Sequence, residues 1–100
     1  MDFEKPDTSL LIDFGQALLA VSEVGTFGKN KYVRGGWIHV TDGVNRYTAA
    51  LMRHVLSENT EKFDSESGLL HAAHCAWNAL ARLELMLKNR SEVEKKNEFI

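Results

Sequence analysis

The chain has 100 residues, 44% hydrophobic and 26% charged, with seven glycines and one proline, which is the composition of one ordinary soluble domain and leaves no room for a second. Twelve basic against fourteen acidic residues give a formal net charge of −2, which excludes the global positive field that gathers nucleic acid polymers or anionic membranes. Cys75 is the lone cysteine, so an internal disulfide framework and any thiolate-cluster metal site are excluded, and a metal would have to use oxygen or imidazole ligands.

No apolar run approaches the ~20 residues of a membrane span, and the start MDFEKPDTS lacks the basic and apolar regions of a secretory signal, so a cytoplasmic protein with no membrane partner is expected. A chain this short buries only about two-thirds of its unfolded surface, which makes a homo-oligomer the reasonable expectation wherever a helix is apolar on too many sides. One domain is expected over 9–89, with polar ends at 1–8 and 90–100.

Between 10 and 27, Leu11, Phe14, Leu18 and Val21 recur at three- and four-residue steps, and Asp13 followed by Gln16 offers an N-cap with a capping-box partner. This is the first helix, with Gly25 and Gly28 near its end. The stretch 28–40 reads as an irregular, glycine-rich connection carrying Lys29, Lys31, Tyr32, Arg34, Trp37 and His39; two glycines argue against a strand within it. Thr41 and Asp42 are cap candidates for a second helix in which Val44, Tyr47, Leu51 and Val55 fall at helical steps, up to about Ser57. After a polar break at 59–67, Leu69, Ala73, Ala76, Leu80, Leu83 and Leu87 hold one stripe of a third helix, with Ser65 or Ser67 as caps. The predicted fold is therefore all-α: a small bundle of about three helices, with an irregular loop after the first, completed by oligomerisation.

At ~100° per residue, His71, His74, Asn78 and Arg82 form a narrow polar stripe opposite those leucines. A solvated face is one reading. The other is burial, since the flanks of this helix are apolar nearly all round, and a buried stripe would need polar partners because each unpaired group costs on the order of 1–3 kcal/mol. The second helix and its connection supply candidates: His54 and Glu58 stand one turn apart, Arg46 and Arg53 share a neighbouring face, and Glu61, Asp64 and Glu66 follow. Such an oxygen-rich cluster suits Mg²⁺ or Mn²⁺, and added imidazole shifts the preference toward Mn²⁺ or another transition metal. The alternatives are plain ones: a histidine bonded to a nearby carboxylate, acidic helix caps, solvated lysines, and Trp37 and Trp77 as packing anchors. The spacing is not the H-E-x-x-H of zinc proteases, no glycine loop of the P-loop type is present, and there is no Ser-His-Asp elbow.

Three blocks carry a family resemblance: Thr26, Phe27, Gly28, Lys31 and Tyr32 followed by Trp37; Arg46, Tyr47, Ala50, Arg53 and His54; and Asp64 through Gly68 followed by His71, His74 and Asn78. With these the chain resembles the phage and bacterial domain found at the N-terminus of dATP/dGTP diphosphohydrolases, relatives of the MazG-like all-α nucleotide pyrophosphatases. It departs from the common pattern in reading Gly36-Trp37 where N-W is usual, and in lacking the E-x-x-E and E-x-x-D helices of standard MazG proteins. The resemblance implies an oligomeric helical hydrolase, a dimer or tetramer in the cytoplasm, or the host cytoplasm if phage-encoded. It would use Mg²⁺ or Mn²⁺ to convert a purine deoxynucleoside triphosphate to the monophosphate and pyrophosphate. On that reading Glu58, Asp64 and His54 are catalytic, and Glu58, Asp64, Glu66, His71 and His74 hold metal directly or through one another. Lys31, Arg46 and Arg53 would engage phosphates, and Tyr32, Trp37 and Asn78 the sugar or base. The competing expectations are a non-catalytic oligomerisation or adaptor domain and a nucleotide-sensing domain that binds without cleaving.

Overall fold

A computed structural model describes the backbone of residues 4–98 and the side chains of residues 4–90. The chain is all-α, as expected: α1 (Gly15–Lys31), α2 (Gly43–Ser57) and α3 (His71–Glu98), preceded by a 3₁₀ segment at Thr8–Phe14 and with a second 3₁₀ turn at Gly36–His39. Among the described residues the only extended pairing is an isolated bridge between Phe63 and Leu70. The α2 and α3 helices pack most extensively on one another, and α1 lies along α3. The polar C-terminal end continues α3 through Glu98, while residues 1–3 and 99–100 and the side chains of 91–100 lie outside the description.

Several boundaries differ from the sequence expectation, each for a local reason. Asp13 does not cap α1; it lies inside the 3₁₀ segment, whose own cap is Asp7, the side chain of which accepts from the Ser9 amide at 3.1 Å. Residue 14, at the start of α1, is a phenylalanine and makes no side-chain cap bond. Gly25 and Gly28 do not end α1, which runs on to Lys31. The need for glycine at 25 is a close approach: a Cβ there would sit 3.2 Å from Trp77 Nε1. Asp42 does precede α2, but in the left-handed region (φ 56°), and its carboxylate accepts from Asn45 Nδ2 at 2.9 Å rather than from a helix amide. The α3 helix begins at His71, two residues later than the leucine pattern suggests, so Ser65 and Ser67 are not its caps.

The orientation of α3 decides between the two readings of its polar stripe. His71, His74 and Asn78 are buried beside Ala73, Ala81 and Leu85, whereas Leu80, Leu83 and Leu87 are about half exposed at 51%, 50% and 51%. The polar stripe is the inward face. Burial is tolerable because each member finds a partner: His71 on His54, His74 on Ser67, the Asn78 amide on the His74 carbonyl at 2.8 Å, and Arg82 Nε on Thr48 Oγ1 at 2.8 Å. No buried side-chain nitrogen or oxygen among the described residues lacks one.

The segment Thr8–Lys31 also runs helical for 24 residues, and its most apolar window has mean hydropathy 1.4 with 11% of it buried. By length and composition alone it could cross a membrane, which corrects the expectation that nothing in the chain approaches that length. The pattern hid this because the 3₁₀ segment and α1 are contiguous, and polar residues such as Asp13 and Glu23 interrupt the apolar run.

Candidate functional site

The site forms where the C-terminal half of α2, the 58–70 connection and the first turns of α3 meet. The connection is stiff. The Asp64 amide donates to the Leu69 carbonyl at 2.7 Å, the Gly68 amide to the Asp64 carbonyl at 2.8 Å, and the His71 amide to the Lys62 carbonyl at 3.0 Å. This turn needs Gly68, whose φ of +73° lies in the left-handed region that disfavours a Cβ. Inside the turn the Ser67 amide donates to Asp64 Oδ2 at 2.8 Å, aiming the carboxylate inward.

Three imidazoles meet that carboxylate. His54 Nδ1 and His71 Nδ1 are 2.8 Å apart, and the His54 and His74 rings stack with centroids 4.4 Å apart and planes 9° from parallel. Ser67 Oγ lies 2.7 Å from His74 Nε2, which is 3.8 Å from Asp64 Oδ2, and Phe27 of α1 closes the cluster edge-on to His74 at 6.5 Å. The ligand atoms of His54, Asp64 and His71 all fall within 4.8 Å of one another. Lys31, at the end of α1, forms an ion pair with Glu66 of the connection, so α1 and the acidic turn are tied together at the rim.

The electrostatics favour neutral imidazole beside an ionised carboxylate. Burial holds the His54 pKa below its ordinary value, and the neighbouring His74 and His71 add to the effect. Burial also lowers His74, with Asp64 opposing. For Asp64 burial pulls upward, but the amide and hydroxyl hydrogen bonds from Ser67 and the adjacent histidines outweigh it, and the carboxyl sits below its ordinary value. Lys31 is held above its ordinary value by its hydrogen bond to Glu66.

This donor set fits a divalent cation. Two nitrogens each about 2.1 Å from one metal stand roughly 3.0–3.4 Å apart, close to the observed Nδ1 separation, and the carboxylate supplies an oxygen on the same side. Without a cation, a hydrogen bond between the two Nδ1 atoms requires one protonated and one bare nitrogen.

Not every expected site residue joins this group. His54, Asp64, His71 and His74 come together, with Glu66 at the edge. Glu58 is exposed at the end of α2 and outside the group; its charge acts instead on Cys75, whose thiol is raised chiefly by burial. Arg46 and Arg53 are exposed on α2, and Tyr32 is 66% exposed. Trp37 packs against Trp77 and Tyr47 with centroids 5.8 and 6.3 Å away, its carbonyl accepting from Tyr47 Oη at 2.7 Å. Asn78 is buried, with its amide bonded to the His74 carbonyl. Ser67 is the residue that sequence reasoning took for a cap. The signal present was Asp64 three positions before it and Gly68 after it, the pattern of a side-chain-closed turn.

The model of the family described as dATP/dGTP diphosphohydrolase, N-terminal, matches residues 1–96. The chain belongs to this family. No curated protein and no solved structure matches it. The match to the dATP/dGTP diphosphohydrolase N-terminal family covers α1, α2, α3 up to residue 96 and the whole histidine–aspartate cluster.

Proposed function

We propose that the chain is a metal-dependent nucleoside triphosphate diphosphohydrolase, converting dATP or dGTP to the monophosphate and pyrophosphate. The observation that carries this reading is the convergence of His54, Asp64 and His71 in a chain of this family. A divalent cation bound there would offset triphosphate charge and make a bound water more acidic. Asp64, kept ionised by Ser67, and the Nδ1 atoms of His54 and His71 would hold it, Mn²⁺ suiting the imidazole-rich set better than Mg²⁺.

His54 is neutral near pH 7 and, with Nδ1 on the cation, would carry its one proton on Nε2, so its part is to hold the cation rather than to take a proton from the attacking water. Stacked on His54, His74 fixes the ring plane, and Ser67 in turn holds the His74 ring, while buried Asn78 is bonded to the His74 backbone carbonyl. Lys31 brings a full positive charge to the rim, where Glu66 orients it toward an incoming phosphate. Arg53 and Arg46, exposed on α2, supply further phosphate contacts, and Tyr32 and Trp37 flank the approach of the nucleoside. Glu58, outside the cluster, contributes charge without ligating. The compartment of action is the cytoplasm, where deoxynucleoside triphosphates are made.

The test is to incubate the purified chain with each deoxynucleoside triphosphate and Mn²⁺ or Mg²⁺ and to measure monophosphate and pyrophosphate. Turnover of dATP or dGTP that is lost in EDTA and in Asp64→Asn is expected. Consumption of no triphosphate overturns the reading, and triphosphate binding without pyrophosphate release assigns the chain to nucleotide sensing.

A further inference from the structure

The polar stripe of α3 has one member that the histidine cluster does not use. Arg82 is half buried on the inward side of the helix, and its Nε donates to Thr48 Oγ1 of α2 at 2.8 Å. The Thr48 hydroxyl commits its own proton to the Val44 carbonyl, 2.7 Å away, so toward Arg82 it can only accept. Arg46 and Arg53 are exposed, whereas the Arg82 head is held in place. With Nε taken, the free edge of the guanidinium is the pair Nη1 and Nη2, a planar fork that matches two oxygens of one phosphate. Neither atom has a protein partner among the described residues, no carboxylate there lies within ion-pair distance of them, and neither is sealed from water. A guanidinium drawn half out of water against a neutral hydroxyl still lacks a counter-charge.

The α2–α3 contact leads from this fork to the cluster. His54 meets His71, the Leu51 carbonyl accepts from Cys75 Sγ at 3.6 Å, and Thr48 meets Arg82, so the two helices run antiparallel with these three rungs along one seam. Thr48 precedes His54 by six residues, about 9 Å along the α2 axis. Helical side chains lean toward the N-terminus of their own helix, which carries the Arg82 head back toward His74. A chain of phosphates spans such an interval and a single phosphate does not. We infer that Arg82 anchors the far end of the polyphosphate: with one phosphate on a cation at His54, Asp64 and His71, the Nη1–Nη2 fork takes two oxygens of a phosphate farther along the chain. Thr48 is the positioning residue that aims the fork. This inference rests on the nucleotide reading above and adds to it the group that selects triphosphates over monophosphates.

Titration calorimetry of the full chain in Mn²⁺ gives the test, with α,β-methylene dATP and dGTP, whose α–β bridge resists cleavage, and with the corresponding monophosphates. Arg82→Gln is expected to weaken binding of the triphosphate analogues by about 10–100-fold, the loss of a charge-assisted pair of hydrogen bonds, and to leave the monophosphates within about twofold. Arg82→Lys keeps the charge without the fork and is expected to recover only part of that loss. Thr48→Val keeps the arginine but removes its acceptor, and should weaken the analogues to a smaller extent. Lys88→Gln, at an exposed cation farther along α3, should change neither ligand. Helical circular dichroism of each variant checks the fold, and if Arg82→Gln does not fold, Arg82→Lys and Thr48→Val carry the test. Equal losses of triphosphate and monophosphate binding in the Arg82 variants, or no loss in any variant, overturn the inference and leave the hydrolase reading standing. Absent turnover with analogue binding that still depends on Arg82 overturns the hydrolase reading alone, and a wild type that binds neither analogue overturns both.

Discussion

Replacing His71 by Phe separates the packing of the site from its nitrogen chemistry. The ring at 71 is only 6% exposed, and a phenyl of similar size fills the same space while removing the partner 2.8 Å from His54 Nδ1. In EDTA the variant is expected to lose about 1–3 kcal/mol, the cost of leaving one buried polar nitrogen unpaired. For a domain of this size each kcal/mol moves Tm by roughly 4–8 °C, so the melting point should fall by roughly 4–24 °C. With Mn²⁺ at a hundred times its Kd, the wild type gains about 2.7 kcal/mol, a rise of roughly 10–20 °C. The variant, deprived of one of three donors, should show little or none of that rise. Differential scanning calorimetry of both proteins, with and without Mn²⁺, measures all four melting points. Equal Mn²⁺ shifts in the two proteins, or no shift in either, would refute the reasoning, because the cluster would then be a hydrogen-bonded core and nothing more.

Other expectations follow from single contacts. Gly43→Ala puts a Cβ 2.6 Å from Leu85 Cδ1 at the α2–α3 contact, so overpacking should destabilise the chain by about 1–3 kcal/mol in chemical denaturation. Gly68→Ala meets no atom within 4 Å but forces a Cβ onto a φ of +73°; a loss of about 1–2 kcal/mol is expected, with weaker Mn²⁺ binding as the Asp64 turn relaxes. The folded-state pKa values of His54 and His74 lie below the ordinary 6.5, so the unfolded chain binds more protons in that window. Stability of the metal-free protein is therefore expected to be full above about pH 6.5 and to decline as pH falls toward the folded values, which a Tm series from pH 8 to 5 in EDTA would record.

The helices were legible in the sequence because three- and four-residue apolar spacing is set by helix geometry alone. The packing direction of α3 was not, since its polar and leucine stripes are nearly opposite and either can face inward. Burial of His71, His74 and Arg82 depends on partners outside the helix, His54 17 positions away, Ser67 across the turn and Thr48 34 positions away, and periodicity within one helix carries no record of them. Gly25 misled for a related reason: a glycine that ends a helix and one that admits the Trp77 ring look alike until the third helix is placed. Within the site, Asp64, His54, His71 and His74 could be nominated by residue type and order, and they do converge. Glu58 could be nominated equally well, but it caps the end of α2 facing solvent, one turn beyond His54.

The central claim, that imidazole nitrogens and one carboxylate share a cation, is tested most directly by electron spin-echo envelope spectroscopy of the Mn²⁺-loaded chain. The account predicts ¹⁴N modulation from two directly bound imidazoles, reduced to one in His71→Phe. Modulation from water protons alone, with no nitrogen coupling in the wild type, would contradict it.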